Sequence, residues 1–359
     1  MGVTGVPPFF RGGEDAPNRL TARGLSANGE GTRGITVSGT ELAPNWGYTA
    51  GMRLLFAFSL AVAAWAGDKD FNGRWDIRVE NSANRRAWWL EVKGAGSGKM
   101  TGSFISALGG DLNVIENLAV KDGVLSFSFD RKGAQPAKLV YTAKLVGKEL
   151  VGEHFIEGKG QKTVFVGKRA PVLKDKDDNS WKKGKPVELF NGKDLNNWSA
   201  MVPGKPLGWK VEDGIMKNVA GANNLVSAEK FWNFELHCEF KIGAHSNGGL
   251  GLRGRYEVQI IDDFGKPAGS HGTGALYSRI TPSVNASKAP GEWQTYDIRL
   301  VGHFVTITVN GQKVIDKGVI EGLTAMAHDW DESQPGPFSV QGDHGPVEIR
   351  KLTITPLVK

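Results

Sequence analysis

Apolar and polar residues alternate in short runs along most of this chain, and turn residues separate the runs. In the first half, eight such runs follow one another: RWDIRVE, AWWLEVK, KMTGSFIS, DLNVIENLAV, VLSFSFD, AKLVYTAKLV, ELVGEHFIEG and KTVFVGKR. Asp122-Gly123 has the composition of a hairpin turn between two of them. A period of two places one face of each run in a core, so the pattern favours strands over helices. We therefore predict a small antiparallel β-barrel-like domain over residues 68–168.

The same alternation continues from Val187 toward the C-terminus. Asn310-Gly311 again suggests a two-residue hairpin turn, and no helical periodicity longer than one or two turns interrupts the pattern. An all-β domain of this length is most simply a two-sheet jelly-roll sandwich, which we predict over residues 187–357. Residues 169–186 are polar and bounded by proline, so we predict a linker there.

The N-terminal region has the features of an export signal preceded by an extension. Residues 52–66 contain a basic start at Arg53, an apolar stretch, and an Ala-Trp-Ala sequence suited to cleavage. This is the pattern of a secretory signal peptide, which is too short to span a membrane. Residues 1–51 lack periodicity, and we expect them to be disordered or a mis-assigned upstream extension, with translation starting at Met52. The mature protein is expected to be secreted or periplasmic, without an integral membrane span.

Composition narrows the possible classes of function. The net charge is +6, but the basic residues are scattered among acidic ones and form no run with aromatic residues, which argues against nucleic acid as a partner. The single cysteine, Cys238, excludes a disulfide within the chain and a cysteine-based metal site. It alternates with Phe234, Leu236 and Phe240, so we expect an inert core residue. Abundant glycine and tryptophan are typical of all-β domains that meet sugars.

Eight strings in the second half occur in a characteristic order. They are ELFNGKDLNNW, WKVEDGIM, NLVSAEKFWNFELHCEFKI, NGGLGLRGRYEVQIID, TGALY, PSVNASKAPGEWQTYDIRLVG, TVNGQKVID and GPVEIRKLTITPL. Together they closely resemble the 3-keto-disaccharide hydrolase domain family, whose members are concanavalin-like jelly rolls, over residues 187–357. One departure stands before the last strand. Family members tend to have Gln-Asp-His-Gly, whereas this chain reads Gln341-Gly342-Asp343-His344-Gly345.

The resemblance implies a secreted enzyme that cleaves the glycosidic bond of 3-keto-glycosides or 3-keto-disaccharides. A ketone at C3 acidifies the C2 proton, and the glycosidic oxygen on C1 is then a β-leaving group, so elimination or net hydrolysis follows from proton abstraction. The substrate is an oligosaccharide or glycoside, and a separate sugar 3-oxidoreductase would supply the ketone. The string GGLGLRGR lies in a β pattern without a following helix, so it does not indicate a dinucleotide-binding loop in this chain.

Alternation within GLGLRGRYEVQIID places candidate catalytic residues on one strand face. Small residues lead to Arg253 on the side opposite the leucines, and Glu257, Gln259 and Asp262 follow. Arg253 would hold an enolate-like oxygen, Glu257 would be the base or the acid, and Gln259 would bind a hydroxyl group. The alternative is a solvated polar sheet face with an Arg–Glu pair of little energetic weight.

Other candidates lie in loops and at strand ends. His271 and His344 occupy glycine-rich loops and could act as the base. Asn247, Tyr277, Trp293 and Gln341 complete the substrate-binding candidates, but Asn247 also fits a turn, and Tyr277 and Trp293 also fit plain packing. A metal site is a further alternative, because His271, Asp262 and Asp263 could assemble a site for a divalent ion such as calcium.

Two rival functions remain at this point. The first is a non-catalytic carbohydrate-binding β-sandwich. The second is a hydrolase of unoxidised glycans with paired carboxylates about 5–5.5 Å apart, as retaining enzymes require. Gln259 stands two residues after Glu257, where the second acid of such a pair would be needed, and this weakens the second rival. Because every family-like string follows position 187, we expect the barrel to be dispensable for chemistry.

Overall fold

The computed structural model describes residues 67–82, 86–106, 110–132 and 135–359. The predicted extension at 1–51 and the predicted signal peptide at 52–66 lie outside the described residues. The described part is all-β, with 23 strands and one short 3-10 helix at Asp68–Phe71. None of its helices is long and apolar enough to cross a membrane.

The first nine strands form one antiparallel sheet. They are β1 (Gly73–Val79), β2 (Ala87–Lys93), β3 (Thr101–Ile105), β4 (Asn113–Ile115), β5 (Ala119–Lys121), β6 (Val124–Arg131), β7 (Ala137–Val146), β8 (Glu149–Ile156) and β9 (Lys162–Arg169). Their order is β4-β3-β2-β1-β9-β8-β7-β6-β5. No ladder joins β4 to β5 among the described strands, so the sheet is a curled half-barrel and not a closed barrel.

Aromatic side chains fill the inside of the half-barrel. Trp75 and Trp88 are buried there with Phe104, Phe127 and Tyr141. The Phe127 and Tyr141 rings stack with centroids 4.8 Å apart, and Trp88 meets Tyr141 edge-on at 5.8 Å. Aromatic contacts of this kind add about 0.5–1.5 kcal/mol each beyond area burial. The half-barrel therefore has its own core.

The remaining fourteen strands build a sandwich of two antiparallel sheets. They are β10 (Lys182–Lys183), β11 (Val187–Phe190), β12 (Trp198–Ala200), β13 (Trp209–Glu212), β14 (Ile215–Asn218), β15 (Leu225–Phe231), β16 (Phe234–Ile242), β17 (Asn247–Leu252), β18 (Tyr256–Ile261), β19 (Trp293–Val301), β20 (Phe304–Val309), β21 (Gln312–Val319), β22 (Gly336–Val340) and β23 (Val347–Val358). One sheet runs β13-β14-β23-β16-β19-β20-β21, with β10 and β11 also paired to β23, and the other runs β12-β15-β22-β17-β18.

The two sheets enclose one hydrophobic core. Strand β16 contributes alternate residues to it, including Phe240, while Leu250 of β17 and Val258 of β18 come from the facing sheet. Cys238 is fully buried in this core, as predicted, and burial raises the pKa of its thiol. The jelly-roll sandwich predicted for this half is confirmed.

The segment predicted to be a linker is attached to the sandwich along part of its length. The Asp175 carboxylate accepts hydrogen bonds from Trp232 Nε1 at 2.7 Å and Asn233 Nδ2 at 2.9 Å. Asp177 pairs with Arg299 at 2.9 Å. These contacts hold the connection between the two halves against one sheet.

Trp89 joins the half-barrel to the sandwich. It alternates with core residue Trp88, so its side chain faces out of the half-barrel, yet it is buried in the sandwich core cluster. The Arg279 guanidinium stacks over its ring at 4.1 Å, and a Cβ at Gly322 would overlap the indole. Trp88 and Trp89 therefore point to opposite faces of β2, and Trp89 is an interface residue.

A polar cluster lies at the same interface. Asp76 of β1 is fully buried, and its carboxyl group lies beside that of Glu332. Burial, with the nearby charge of Glu332, raises the pKa of Asp76 well above its ordinary value. Glu332 accepts a hydrogen bond from the Tyr256 hydroxyl, and Lys168 of β9 pairs with Asp331. The two halves therefore share a buried carboxyl group that keeps its proton.

We predict that Asp76→Asn stabilises the protein increasingly as pH rises. Between the ordinary pKa of about 3.9 and the raised folded value, the folded chain holds a proton that the unfolded chain has lost. Wild-type stability therefore falls with pH in this window by up to about 1.4 kcal/mol per unit, and asparagine removes that loss. Urea unfolding across the window measures the difference, with exposed Asp122→Asn as control. A difference independent of pH would contradict the assignment.

Candidate active site

The outer face of the five-stranded sheet carries two rows of polar residues with glycine in the middle. Strand β17 lies between β22 and β18, and its leucines point into the core. The opposite face carries Ser339, Gly251 and Glu257 in one row, and Gln341, Gly249 and Gln259 in the next. Strand β17, the middle one of these three strands, thus presents no side chain at either row, and polar groups of β22 and β18 lie on its two sides.

The two glycines are required by close approach. A Cβ at Gly249 would lie 2.8 Å from Glu257 Oε1, and a Cβ at Gly251 would overlap Ser339 Oγ. Glycine in a strand interior weakens the strand, and it marks sites where another group must come close. Here the missing side chains allow Glu257 and Ser339 to lean over the central strand.

The polar groups of this face are buried and incompletely paired. Glu257 is 4% exposed, Gln259 1% and Ser339 0%. Ser339 Oγ and the side-chain oxygens of Gln259, Gln341 and Asn247 have no hydrogen-bond partner among the described residues. Leaving a buried polar group unpaired costs about 1–3 kcal/mol, so a cluster of them on one face is typical of a site built for a polar ligand.

Three segments of the sandwich surround this polar face, which we call the floor of the site. The Tyr277 N–H donates to the Glu257 carbonyl at 3.0 Å, and the Glu257 N–H donates to Thr324 Oγ1 at 3.0 Å. A Cβ at Gly251 would lie 3.4 Å from Met326 Cε, so Met326 covers that end. The loop that contains His344 supplies another side, since His344 and Glu257 lie within electrostatic reach of each other.

Glu257 holds its proton more tightly than an ordinary glutamate. Burial is the main cause, the nearby Asp343 charge adds to it and His344 opposes it, and together they raise the pKa of Glu257 to about 8. A carboxyl group with this pKa is largely protonated at neutral pH and can donate a proton there.

His344 and Asp343 form a pair beside this carboxyl group. His344 Nδ1 lies 2.9 Å from Asp343 Oδ1, and this hydrogen bond raises the pKa of His344 despite its partial burial. The backbone N–H groups of Gly342 and Asp343 donate to Asn224 Oδ1 at 2.8 and 3.2 Å. The extra glycine of the string therefore sits in a loop that keeps His344 near Glu257.

Tyr277 and His271 form the side of the site next to β18. The rings meet edge-on with centroids 4.6 Å apart, and His271 Nε2 lies 2.7 Å from Asp111 Oδ1 of the half-barrel. Burial and the charges of Glu257 and Asp111 raise the pKa of Tyr277 to about 12. Tyr277 therefore stays a hydrogen-bond donor throughout the neutral range.

Arg253 does not share the face of Glu257 and Gln259, so this prediction requires correction. It stands in the turn after β17 with a left-handed backbone (φ 54°), which breaks the alternation on which the prediction depended. Its buried guanidinium donates to the Trp232 and Gly302 carbonyls at 2.6 and 2.8 Å and to Asn233 Oδ1 at 3.0 Å, and it stacks on the Trp232 ring. Arg253 is a structural residue.

Asp262 and Trp293 also lie away from the floor. Asp262 accepts the His245 N–H at 2.8 Å and holds the loop before β17. Trp293 begins β19 and packs with the side chains of Lys241 and Arg350, outside the sandwich core. Both side chains are occupied by local structure, which strand alternation alone could not reveal.

The metal site considered from the sequence does not assemble. Asp263 binds the N–H and hydroxyl of Thr273 at 2.9 and 2.7 Å, Asp262 binds His245, and His271 pairs with Asp111. Across the described residues, no group of three or more histidine, cysteine, aspartate or glutamate side chains is arranged to hold a metal ion.

A groove of about 380 Å³ lies elsewhere, on the outer face of the other sheet. Threonines 306, 308, 353 and 355 line it, together with His237 and Asp297, which are 2.7 Å apart. Arg299 and Glu235 form an ion pair at its edge. The groove lacks a buried carboxyl group comparable to Glu257, so we place the candidate active site on the glycine-centred face.

Sequence reasoning missed three residues of the site. Ser339 could have been found, because it stands two residues before Gln341 on the same strand face. Asp343 adjoins His344 in the string already singled out. Asp111 lies in the other half of the chain, and no local pattern connects it to His271.

Comparison with known proteins identifies the second half of the chain. Residues 185–355 match the family model for the 3-keto-alpha-glucoside-1,2-lyase-like domain. A Bacteroides thetaiotaomicron 3-keto-disaccharide hydrolase is 26% identical over 174 residues, covering 38% of this chain and 57% of that protein. A solved structure of a Parabacteroides distasonis protein assigned as a glycosyl hydrolase has 23% identity and a TM-score of 0.40, covering 48% of this chain and 94% of that one.

The sandwich half of the chain therefore matches this family by sequence. The chain carries a 3-keto-alpha-glucoside-1,2-lyase-like domain at residues 185–355, and it matches little more than half the length of its curated relative. The resemblance inferred from eight sequence strings is confirmed.

We predict that Arg253→Lys destabilises the protein by about 2–4 kcal/mol, because the single ammonium nitrogen of lysine cannot reach the three separate acceptors that the guanidinium nitrogens contact. Arg350→Lys, an exposed arginine that also stacks on a tryptophan, is the matched control and should cost less than about 0.5 kcal/mol. Denaturant unfolding measures both. Equal small effects would contradict the structural assignment.

We predict that Gly251→Ala destabilises the protein by about 1–3 kcal/mol, since the added methyl group overlaps Ser339 Oγ. The double variant Gly251→Ala/Ser339→Ala removes that oxygen and should recover most of the loss. Thermal melting of both variants beside Ser339→Ala tests the overlap. A double variant as unstable as Gly251→Ala would show that the glycine is required for another reason.

Proposed function

We propose that this chain cleaves the glycosidic bond of 3-keto-glycosides, starting with removal of the C2 proton. Two findings support the proposal. The sandwich carries a 3-keto-alpha-glucoside-1,2-lyase-like domain, and its polar face holds the protonated carboxyl group of Glu257 beside the His344–Asp343 pair. The single observation that carries the proposal is this buried carboxyl group, which the glycines of β17 allow to lie over the strand.

The chemistry needs a base and an acid near one sugar. The base takes the C2 proton, and the electron pair moves toward C3 to give an enolate. The enolate then re-forms the ketone as the C1–C2 double bond forms and the C1–O bond breaks, and the departing oxygen takes a proton. Water can afterwards add across the double bond, with hydroxyl to C1 and a proton to C2, so elimination and hydration together equal hydrolysis.

The side chains of the site suit these roles. His344 is the proposed base, because Asp343 orients its ring and stabilises the cation that forms. Glu257 is the proposed acid, because its raised pKa keeps a proton available for the departing oxygen at neutral pH. Tyr277 is the proposed hydrogen-bond donor to the developing oxyanion, since it does not ionise in this range.

The unpaired polar atoms of the floor suit a sugar ring. Gln259, Gln341, Ser339 and Asn247 offer side-chain oxygens that accept hydrogen bonds from hydroxyl groups. We propose that these residues bind the oxidised sugar, while the departing alcohol lies toward the proton donors. A separate sugar 3-oxidoreductase would supply the ketone, because the reaction needs C3 already oxidised.

We predict that Glu257→Gln lowers turnover of a 3-keto-glucoside by about 10²–10⁴-fold while the KM changes little, because the amide keeps the shape but cannot donate the proton. If Glu257 is the acid, wild-type kcat falls as pH rises through about 8, and the variant lacks that fall. Glu229→Gln makes the same chemical change at an exposed position of the sandwich and is the matched control, which should leave kcat and KM unchanged.

Three outcomes oppose this assignment in different ways. A wild-type kcat that rises through the same pH range would make Glu257 the base instead. A well-folded Glu257→Gln variant with near-normal turnover would remove Glu257 from the mechanism. Binding of the 3-keto-glucoside without any turnover by the wild type would favour the non-catalytic sandwich.

A further inference from the structure

Among the described residues, a short segment of the half-barrel lies against the candidate active site. Residues Gly110–Leu112, between β3 and β4, lie against the site wall. The Leu112 N–H donates to Ser278 Oγ at 2.8 Å, directly after Tyr277 in the chain. A Cβ at Gly110 would lie 3.0 Å from the Tyr277 hydroxyl oxygen, so the backbone of this segment packs on the phenol.

Asp111 continues this contact with a side chain. Its Oδ1 atom lies 2.7 Å from His271 Nε2, and the His271 ring meets the Tyr277 ring edge-on at 4.6 Å. The Tyr277 N–H in turn donates to the Glu257 carbonyl at 3.0 Å. A continuous series of contacts therefore runs from the half-barrel to the strand that holds the proposed acid.

We propose that Asp111 is a positioning residue for this active site, supplied by the half-barrel. It fixes His271 and thereby holds the Tyr277 phenol in the wall beside Glu257. The inference rests on the proposed function, and it assigns a part in the chemistry to a region outside the family domain at residues 185–355.

The contribution of Asp111 to folding is expected to be small. The Asp111 and His271 side chains are 55% and 45% exposed, and ion pairs this exposed contribute between 0 and about 1 kcal/mol. The two halves are held together elsewhere, by Trp89, Gly322 and the polar cluster around Asp76. Loss of Asp111 should therefore release the Tyr277 wall without separating the halves.

Asp111 also acts on Tyr277 through its charge. Its carboxylate is one of the causes that raise the pKa of Tyr277, after burial and the charge of Glu257. The expectation that the half-barrel is dispensable for chemistry conflicts with this arrangement.

A double-mutant cycle in the full-length chain tests the inference. We compare wild type, Asp111→Asn, Tyr277→Phe and the double variant with a 3-keto-glucoside as substrate. Asp111→Asn should lower kcat about three- to tenfold with a KM changed less than about twofold, and it should have no further effect in the Tyr277→Phe background. Asp122→Asn makes the same chemical change at an exposed turn of the half-barrel and should leave both constants unchanged.

Two further measurements separate positioning from general damage. Asp111→Asn should melt within a few degrees of wild type, and Asp111→Glu should restore part of the lost kcat because it keeps the charge. Multiplicative effects of the two substitutions, or an unchanged Asp111→Asn variant in an active protein, would overturn the inference alone. A wild-type chain without any action on 3-keto-glucosides would overturn the proposed function, and the inference with it.

Discussion

The absence of side chains at Gly249 and Gly251 is the constraint on which the candidate site depends. These positions lie at the centre of a buried polar face, where any Cβ would meet Glu257 or Ser339. With glycine there, the Glu257 carboxyl group enters a region with little water, and burial raises its pKa. The side-chain oxygens of Gln259 and Gln341, on the same face, have no hydrogen-bond partner among the described residues. Strand stability is given up so that a buried carboxyl group can lie over the glycines of β17.

The interface between the halves places a second constraint on the site. The Trp89 side chain points out of the half-barrel and packs in the core of the sandwich. Gly322 leaves space there for the indole, and Arg279 stacks on it. A buried tryptophan between two domains opposes their separate movement, because separation would expose its whole ring. The segment that carries Asp111 is thereby held against Tyr277 and His271. The half-barrel thus shares both a core and a site wall with the sandwich.

Strand periodicity and turn residues were sufficient to predict both all-β halves, the buried Cys238 and the shared face of Glu257 and Gln259. The same reasoning failed at Arg253, because a left-handed residue in the turn after β17 reverses the direction of the side chain. It also failed at Trp293 and Asp262, whose partners come from neighbouring strands and loops. Asp111 and Asp76 act across the two halves, and contacts between distant segments leave no periodic signal in the sequence. The local sequence pattern therefore predicts which face of a strand carries a residue, whereas the contacts of that residue depend on the tertiary structure.

The central claim is that cleavage begins when His344 removes the C2 proton, and that Glu257 then gives a proton to the departing oxygen. The most direct measurement is cleavage of a synthetic 3-keto-glucoside in heavy water, beside its unoxidised parent, with mass analysis of the released sugar. The account predicts that the parent is untouched and that the released sugar has lost its original C2 hydrogen: it is either the unsaturated sugar or, after water has added, a sugar with one solvent deuterium at C2. A control in which the free 3-keto sugar is incubated with Glu257→Gln measures how much deuterium exchanges into C2 after release. Cleavage of the parent at a similar rate, or a product that keeps its original C2 hydrogen, would contradict the account.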